Sequence, residues 1–233
     1  MNSNSFGQGY YSGQELNRSL THCFLWMTIG LLITGAVSAF LYSSNLFVSL
    51  LQVPMIPLLL ALAQILIVVA MSAGLYRFSA GTMKVLFLVY ALTLGISLTS
   101  IFYVYDLGTI YLAFGVSAFY FLCLAIIGLT TKKDMRRLGT ICYGALFALI
   151  ISSLFMMLFR IPMSMILYSI LGLLIFTGIT IWDIQRMPQV LQAAGGQLSE
   201  DKLSIYLALD LYLDFINIFL YILRLMGSRN SRN

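Results

Sequence analysis

Three aspartates stand inside stretches that are otherwise apolar. Asp183 lies in TGITIWDIQRM, and Asp210 and Asp214 lie in LSIYLALDLYLDFINIFLYILRL, residues 203–225. A carboxylate near the centre of a bilayer costs roughly 2.5–3.5 kcal/mol on insertion scales, so such residues face protein or water rather than lipid. Two carboxylates brought together away from water cannot both ionise cheaply; they share a proton and titrate as one unit. Such a pair also offers oxygen ligands to a hard cation such as Ca²⁺. An arginine close by competes with the cation, which gives a latch whose strength depends on protonation.

The element that must position two of these acids is the last apolar stretch. Asp210, Asp214, Asn217, Tyr221 and Arg224 follow one another at spacings of four, three, four and three, which on a helix is one face. This segment therefore carries one polar stripe on an apolar surface. Asp214 is eleven residues beyond Leu203, about 16 Å at 1.5 Å per residue. Asp183 reaches a comparable depth only if its helix continues through Pro188.

The rest of the chain is built to match. Of 233 residues, 61% are hydrophobic and 9% are charged, with mean hydropathy +0.95; soluble domains carry about 25% charged residues. Seven apolar segments are expected at 22–43, 55–76, 85–105, 110–129, 139–159, 163–186 and 203–225. Their length and unbroken apolarity predict helices rather than the alternating strands of a barrel. The fold class is thus an all-α integral membrane protein with seven transmembrane helices. Residues 1–20 read as a polar N-terminal tail, 21–226 as a single membrane domain and 227–233 as a basic C-terminal tail. The connections are short, the longest being 187–202.

The net charge of +5 does not point to nucleic acid, because the basic residues sit between apolar segments and read as topology signals. With the N-terminus in the cytoplasm, Arg18, Arg77, Lys84, Lys132, Lys133, Arg136, Arg137, Arg186 and Lys202 fall on the inner side, nine of the thirteen basic residues. The basic C-terminus fits this less well and leaves a re-entrant last segment as the alternative to a full crossing. Cys23, Cys123 and Cys142 have no metal-ligand spacing and read as packed thiols. His22 has no second ligand near it in sequence.

Each candidate also has a structural reading. Asp210 would serve as a polar helix–helix contact, Asp183 as an interfacial partner of Arg186 at i+3, and Arg77 as an anchor whose side chain snorkels to the head groups. No catalytic constellation is present: a lone Asp106 lacks the second half of an intramembrane aspartyl site, and Lys202 precedes rather than enters the last segment. No cofactor and no enzymatic activity are expected.

At these residues the sequence resembles the Bax inhibitor family, the transmembrane Bax inhibitor motif-containing proteins, in its bacterial branch. LALDLYLDFINIFLYILRL is similar to the family's last-helix signature; the aspartate of TIWDIQ and an arginine closing segment two are similar as well. The resemblance covers about residues 20–226. It implies six helices around a central seventh. It implies a pH-sensitive calcium leak in a bacterial inner membrane, whose N-terminus the count of basic residues puts in the cytoplasm. It implies that Asp183 and Asp214 form the proton sensor and ion pathway, with Ca²⁺ near them as transported or bound ion, and that Arg77 is the latch. Asp210 and Asn217 are a secondary polar stripe. The partners implied are the bilayer, Ca²⁺ and protons. The competing function is a non-transporting interaction protein that modulates a membrane protease or a stress pathway through a membrane partner.

Overall fold

The computed structural model describes residues 13–44, 46–51, 55–160, 164–193 and 198–230. Its helices are α1 (Gly13–Ser43), α2 (Leu46–Leu51), α3 (Ile56–Ala73), α4 (Ala80–Leu98), α5 (Ile101–Val104), α6 (Leu107–Thr130), α7 (Arg136–Phe159), α8 (Met165–Ala193) and α9 (Glu200–Asn230). Seven spans are long and apolar enough to cross a membrane, with α4 and α5 together forming one of them. The expected segments are all present. The short α2, in the first connection, is an addition to them.

α9 is the centre. In its spanning window 72% of residues are buried, against 6% in α3 and 11% in α7. The six other spans thus surround α9: α8, α1, α6 and α4 pack on it extensively, while α3 packs mainly on α4 and α7 mainly on α8. Leu203, Leu207, Leu211, Ile218 and Leu223 are nearly inaccessible. In lipid there is little hydrophobic drive between helices, so close packing and interhelical hydrogen bonds hold such a bundle. Both are visible where α1, α4 and α9 meet. Thr34 donates to the Ala91 carbonyl at 3.0 Å, which leaves its oxygen free to accept from the Tyr212 hydroxyl at 2.6 Å. Ser38 donates to the Gly95 carbonyl at 2.7 Å. A side chain at Gly95 would come within 2.9 Å of the Thr34 carbonyl oxygen, so glycine sets the α1–α4 spacing.

Three boundaries differ from the sequence reading. Residues 13–20, expected as tail, open α1: Leu16 and Leu20 pack against the core and Ser19 donates to Glu200 at 2.6 Å. Residues 1–12, the remainder of that tail, lie outside the described residues. Residues 187–193, expected as loop, continue α8 through Pro188. An internal proline costs about 3 kcal/mol. Met187 and Leu191, 1% and 0% exposed, offset this by burial, at roughly 1.5–3 kcal/mol per side chain. Gly195-Gly196 lies outside the described residues. At the C-terminus, 227–230 extend α9 rather than forming a tail, and 231–233 are outside the described residues. α9 is one uninterrupted helix of 31 residues, about 46 Å long, which answers the re-entrant alternative.

Candidate functional site: a carboxylate cluster between the last two helices

The continuation of α8 past Pro188 fixes the depth of the site. Asp183 is ten residues before the end of α8 at Ala193, and Asp210 is ten residues after the start of α9 at Glu200. The two helices are antiparallel neighbours, so both acids stand at the same level. One side chain spans them. Arg186 Nε lies 2.9 Å from Asp183 Oδ1, an ion contact outside hydrogen-bond geometry. Its other nitrogen Nη2 donates to Asp210 Oδ2 at 2.9 Å. The guanidinium lies over the Trp182 ring, 4.5 Å from its centroid. Stacking of this kind suits the planar, weakly hydrated arginine head.

Asp183 is buried, with 3% of its side chain exposed. Its other oxygen, Oδ2, accepts a hydrogen bond from the Tyr143 hydroxyl of α7 at 3.0 Å. Asp214, one turn deeper on α9, is 3% exposed and within electrostatic reach of both Asp183 and Asp210. Thr180 faces it from α8, yet neither Thr180 Oγ1 nor Asp214 Oδ2 has a hydrogen-bond partner among the described residues. Three carboxylates therefore face one guanidinium, and the deepest is the least compensated. A buried charge without a partner is costly. A proton or an external cation would neutralise it. No group of three or more His, Cys, Asp or Glu side chains among the described residues is gathered closely enough to hold a metal ion. Asp183 and Asp210 form an ion-pair network with Arg186.

The predicted stripe on α9 proves to be its α8 face. Asp210 meets Arg186, Asp214 meets Thr180, and Tyr221 packs on Phe176 and Gly172, in antiparallel order. Asn217 is on this face but donates to its own helix, at the Leu213 carbonyl, 2.8 Å. Arg224 is exposed and lies over the Tyr221 ring at 5.5 Å. The structure does not bring Arg77 to the acids. It sits exposed in the turn between α3 and α4 and makes no ion pair among the described residues. α3 packs mainly on α4, and the turn that follows it leaves the Arg77 side chain exposed. The cation at the acids is Arg186. Its i+3 spacing from Asp183 appeared in the sequence as a structural alternative. The contact across to Asp210 did not, because it depends on the register of two helices whose connecting segment gives no local signal. Tyr143 was missed for the same reason.

The comparisons with known proteins agree with this architecture. Residues 16–231 match the family described as "Inhibitor of apoptosis-promoting Bax1". An uncharacterized protein of Borreliella burgdorferi is 38% identical over 220 residues, covering 92% of this chain and 94% of that one. The inner membrane protein YbhL of Escherichia coli K12 is 33% identical over 217 residues, 92% of this chain and 93% of YbhL. An uncharacterized protein of Deinococcus radiodurans is 32% identical over 217 residues, 93% of each chain. Seven spanning helices, a central last helix, and a match along nearly the whole chain place this multi-pass membrane protein in the Bax inhibitor family.

Proposed function

We propose that the protein is a pH-sensitive cation leak, with Ca²⁺ as its cargo, in a bacterial inner membrane with the N-terminus in the cytoplasm. The observation that carries this reading is the cluster itself: Asp183 and Asp210 at one level in the bundle with Asp214 one turn deeper, and Arg186 in the position a cation would take between the first two. Ionisable groups at such depth in membrane helices mark ion or proton pathways. Asp183 and Asp214 are the proton-responsive pair, Asp210 shares Arg186 with Asp183, and no reaction is catalysed. When the carboxylates are charged, Arg186 and a passing cation compete for them. When they take up protons, both attractions weaken together. Arg186 thus fills the role expected of Arg77.

The test is Ca²⁺ flux by purified protein in liposomes. The reading predicts flux above that of protein-free liposomes, and an increase on Arg186→Gln, which keeps polarity and removes the competing charge. Flux equal to that of empty liposomes, for a protein shown to insert fully, would instead favour a non-transporting partner of another membrane protein.

A further inference from the structure

The connection between α6 and α7 is basic, and it is fastened to the helix that carries the cluster. Residues 131–137 read TKKDMRR. Lys132, Lys133, Arg136 and Arg137 are all exposed. Asp134 lies 3.9 Å from the Arg136 guanidinium and accepts from the Arg136 backbone N–H at 2.9 Å. The other three cations make no ion pair among the described residues. Because the loop joins two spanning helices directly, these charges stand at the level of the lipid head groups.

Orientation in the membrane would explain the charges but not the way the loop is held. Gln185 of α8 grips it at three backbone points. Its Nε2 donates to the Thr131 carbonyl at 2.9 Å and to the Lys133 carbonyl at 2.7 Å. Its Oε1 accepts from the Met135 N–H at 2.9 Å. Gln185 precedes Arg186 and follows Asp183 by two residues. A second link runs through α7, which begins at Arg136 and carries Tyr143 two turns further on; Tyr143 donates to Asp183. Trp182 lies between these links, edge-on to Tyr143 at 5.6 Å and beneath Arg186.

We propose that the α6–α7 loop binds the anionic head groups of membrane phospholipids, and that Gln185 and α7 carry this binding to the Asp183–Arg186–Asp210 bridge. The partner is a lipid with a net negative phosphodiester head group. Each Lys or Arg near an anionic surface strengthens binding by roughly fivefold, so three uncompensated cations give an effect on the order of a hundredfold. The clamp fixes the loop backbone beforehand, which lowers the ordering cost of binding. A head group drawing on Arg136 or Arg137 pulls on the same helix that presents Tyr143.

The test uses the purified full chain and does not require ion flux, so its failure is separate from failure of the leak reading. Retention of phosphatidylglycerol and phosphatidylcholine is compared by native mass spectrometry. Wild type is expected to retain phosphatidylglycerol preferentially, and the triple variant Lys132→Gln, Lys133→Gln, Arg137→Gln to lose that preference. The link is read from Trp182 emission in lipid nanodiscs. The chain has two tryptophans, so Trp26→Phe isolates this one. Raising the phosphatidylglycerol fraction should shift the emission, and Gln185→Ala should reduce the shift by more than it weakens lipid retention. Equal retention of both lipids, or a triple variant that retains phosphatidylglycerol like wild type, overturns the binding. An emission shift unchanged in Gln185→Ala overturns the link. Inorganic phosphate alone producing the same shift would make the loop a general anion site and overturn the lipid assignment.

Discussion

From Asp210 to Asp214, α9 meets α8 through carboxylates, a guanidinium and a threonine. From Phe215 to Phe219 the same helix meets its neighbours through rings. Phe215 packs edge-on against Phe114 at 5.5 Å and Phe121 at 5.6 Å. Beside them lies an apolar cavity of about 370 Å³ lined by residues that include Leu31, Leu98, Ile110, Phe114 and Phe219. The two halves of one helix thus hold opposite kinds of interior. The polar half is filled by its own internal cation, and the apolar half is roomy and lined mainly by apolar side chains, Thr34 and Ser38 among the few polar ones. In the proposed leak, response to protons belongs to the polar half and the barrier to water and ions belongs to the apolar half.

This contrast can be broken most severely at Arg186. Arg186→Met leaves Asp183 and Asp210 facing each other without their shared partner. Loss of one member of a buried pair costs about 3–5 kcal/mol; with Arg186 27% exposed, about 3 kcal/mol is expected. Thermal unfolding in detergent should show a clear drop in Tm, partly restored when Asp210→Asn is added. A variant as stable as wild type would mean that the pair contributes nothing to the polar half.

In the other half, Gly95→Val should cost about 1–3 kcal/mol by forcing α1 from α4, because the added carbon meets the Thr34 carbonyl oxygen at 2.9 Å. Its Tm should fall while the pH response of flux stays intact, which separates packing from titration. Tyr143→Phe is milder. It removes one hydrogen bond to Asp183, worth about 1.5–3 kcal/mol for a charged acceptor, while Arg186 still holds that carboxylate. The pH midpoint of flux should move and the maximal flux should not; an unmoved midpoint would remove Tyr143 from the network. Arg77→Ala comes last, with no change expected in Tm or in flux, since the side chain is exposed and unpaired among the described residues. A large gain in flux from this variant would restore Arg77 as a latch.

The two halves also differed in how far they could be read in sequence. Seven spans, the polar stripe of the last and the three aspartates follow from hydropathy and helical spacing, both local signals, whereas the central place of the last helix is implied by the family resemblance. Tyr143, the Gln185 clamp and the Arg186–Asp210 contact join residues 24 to 54 positions apart, and no periodicity encodes such register. Arg77 shows the converse. An arginine at the end of a span looks equally placed for any neighbour, and only the tertiary structure shows its side chain exposed and without an ion pair among the described residues. Pro188 misled in a similar way: its helix-breaking tendency is local, whereas the burial of Met187 and Leu191 that offsets it is tertiary.

The central claim is that Asp183 and Asp214 respond to protons as one unit. It is tested most directly by Ca²⁺ flux into liposomes between about pH 5 and pH 8, a range in which perturbed carboxylates titrate, for wild type, Asp183→Asn, Asp214→Asn and the double variant. Each single substitution should remove most of the pH dependence, and the double should add little, the non-additivity of coupled sites. Strictly additive effects, or an unaltered pH profile in either single variant, would contradict the account.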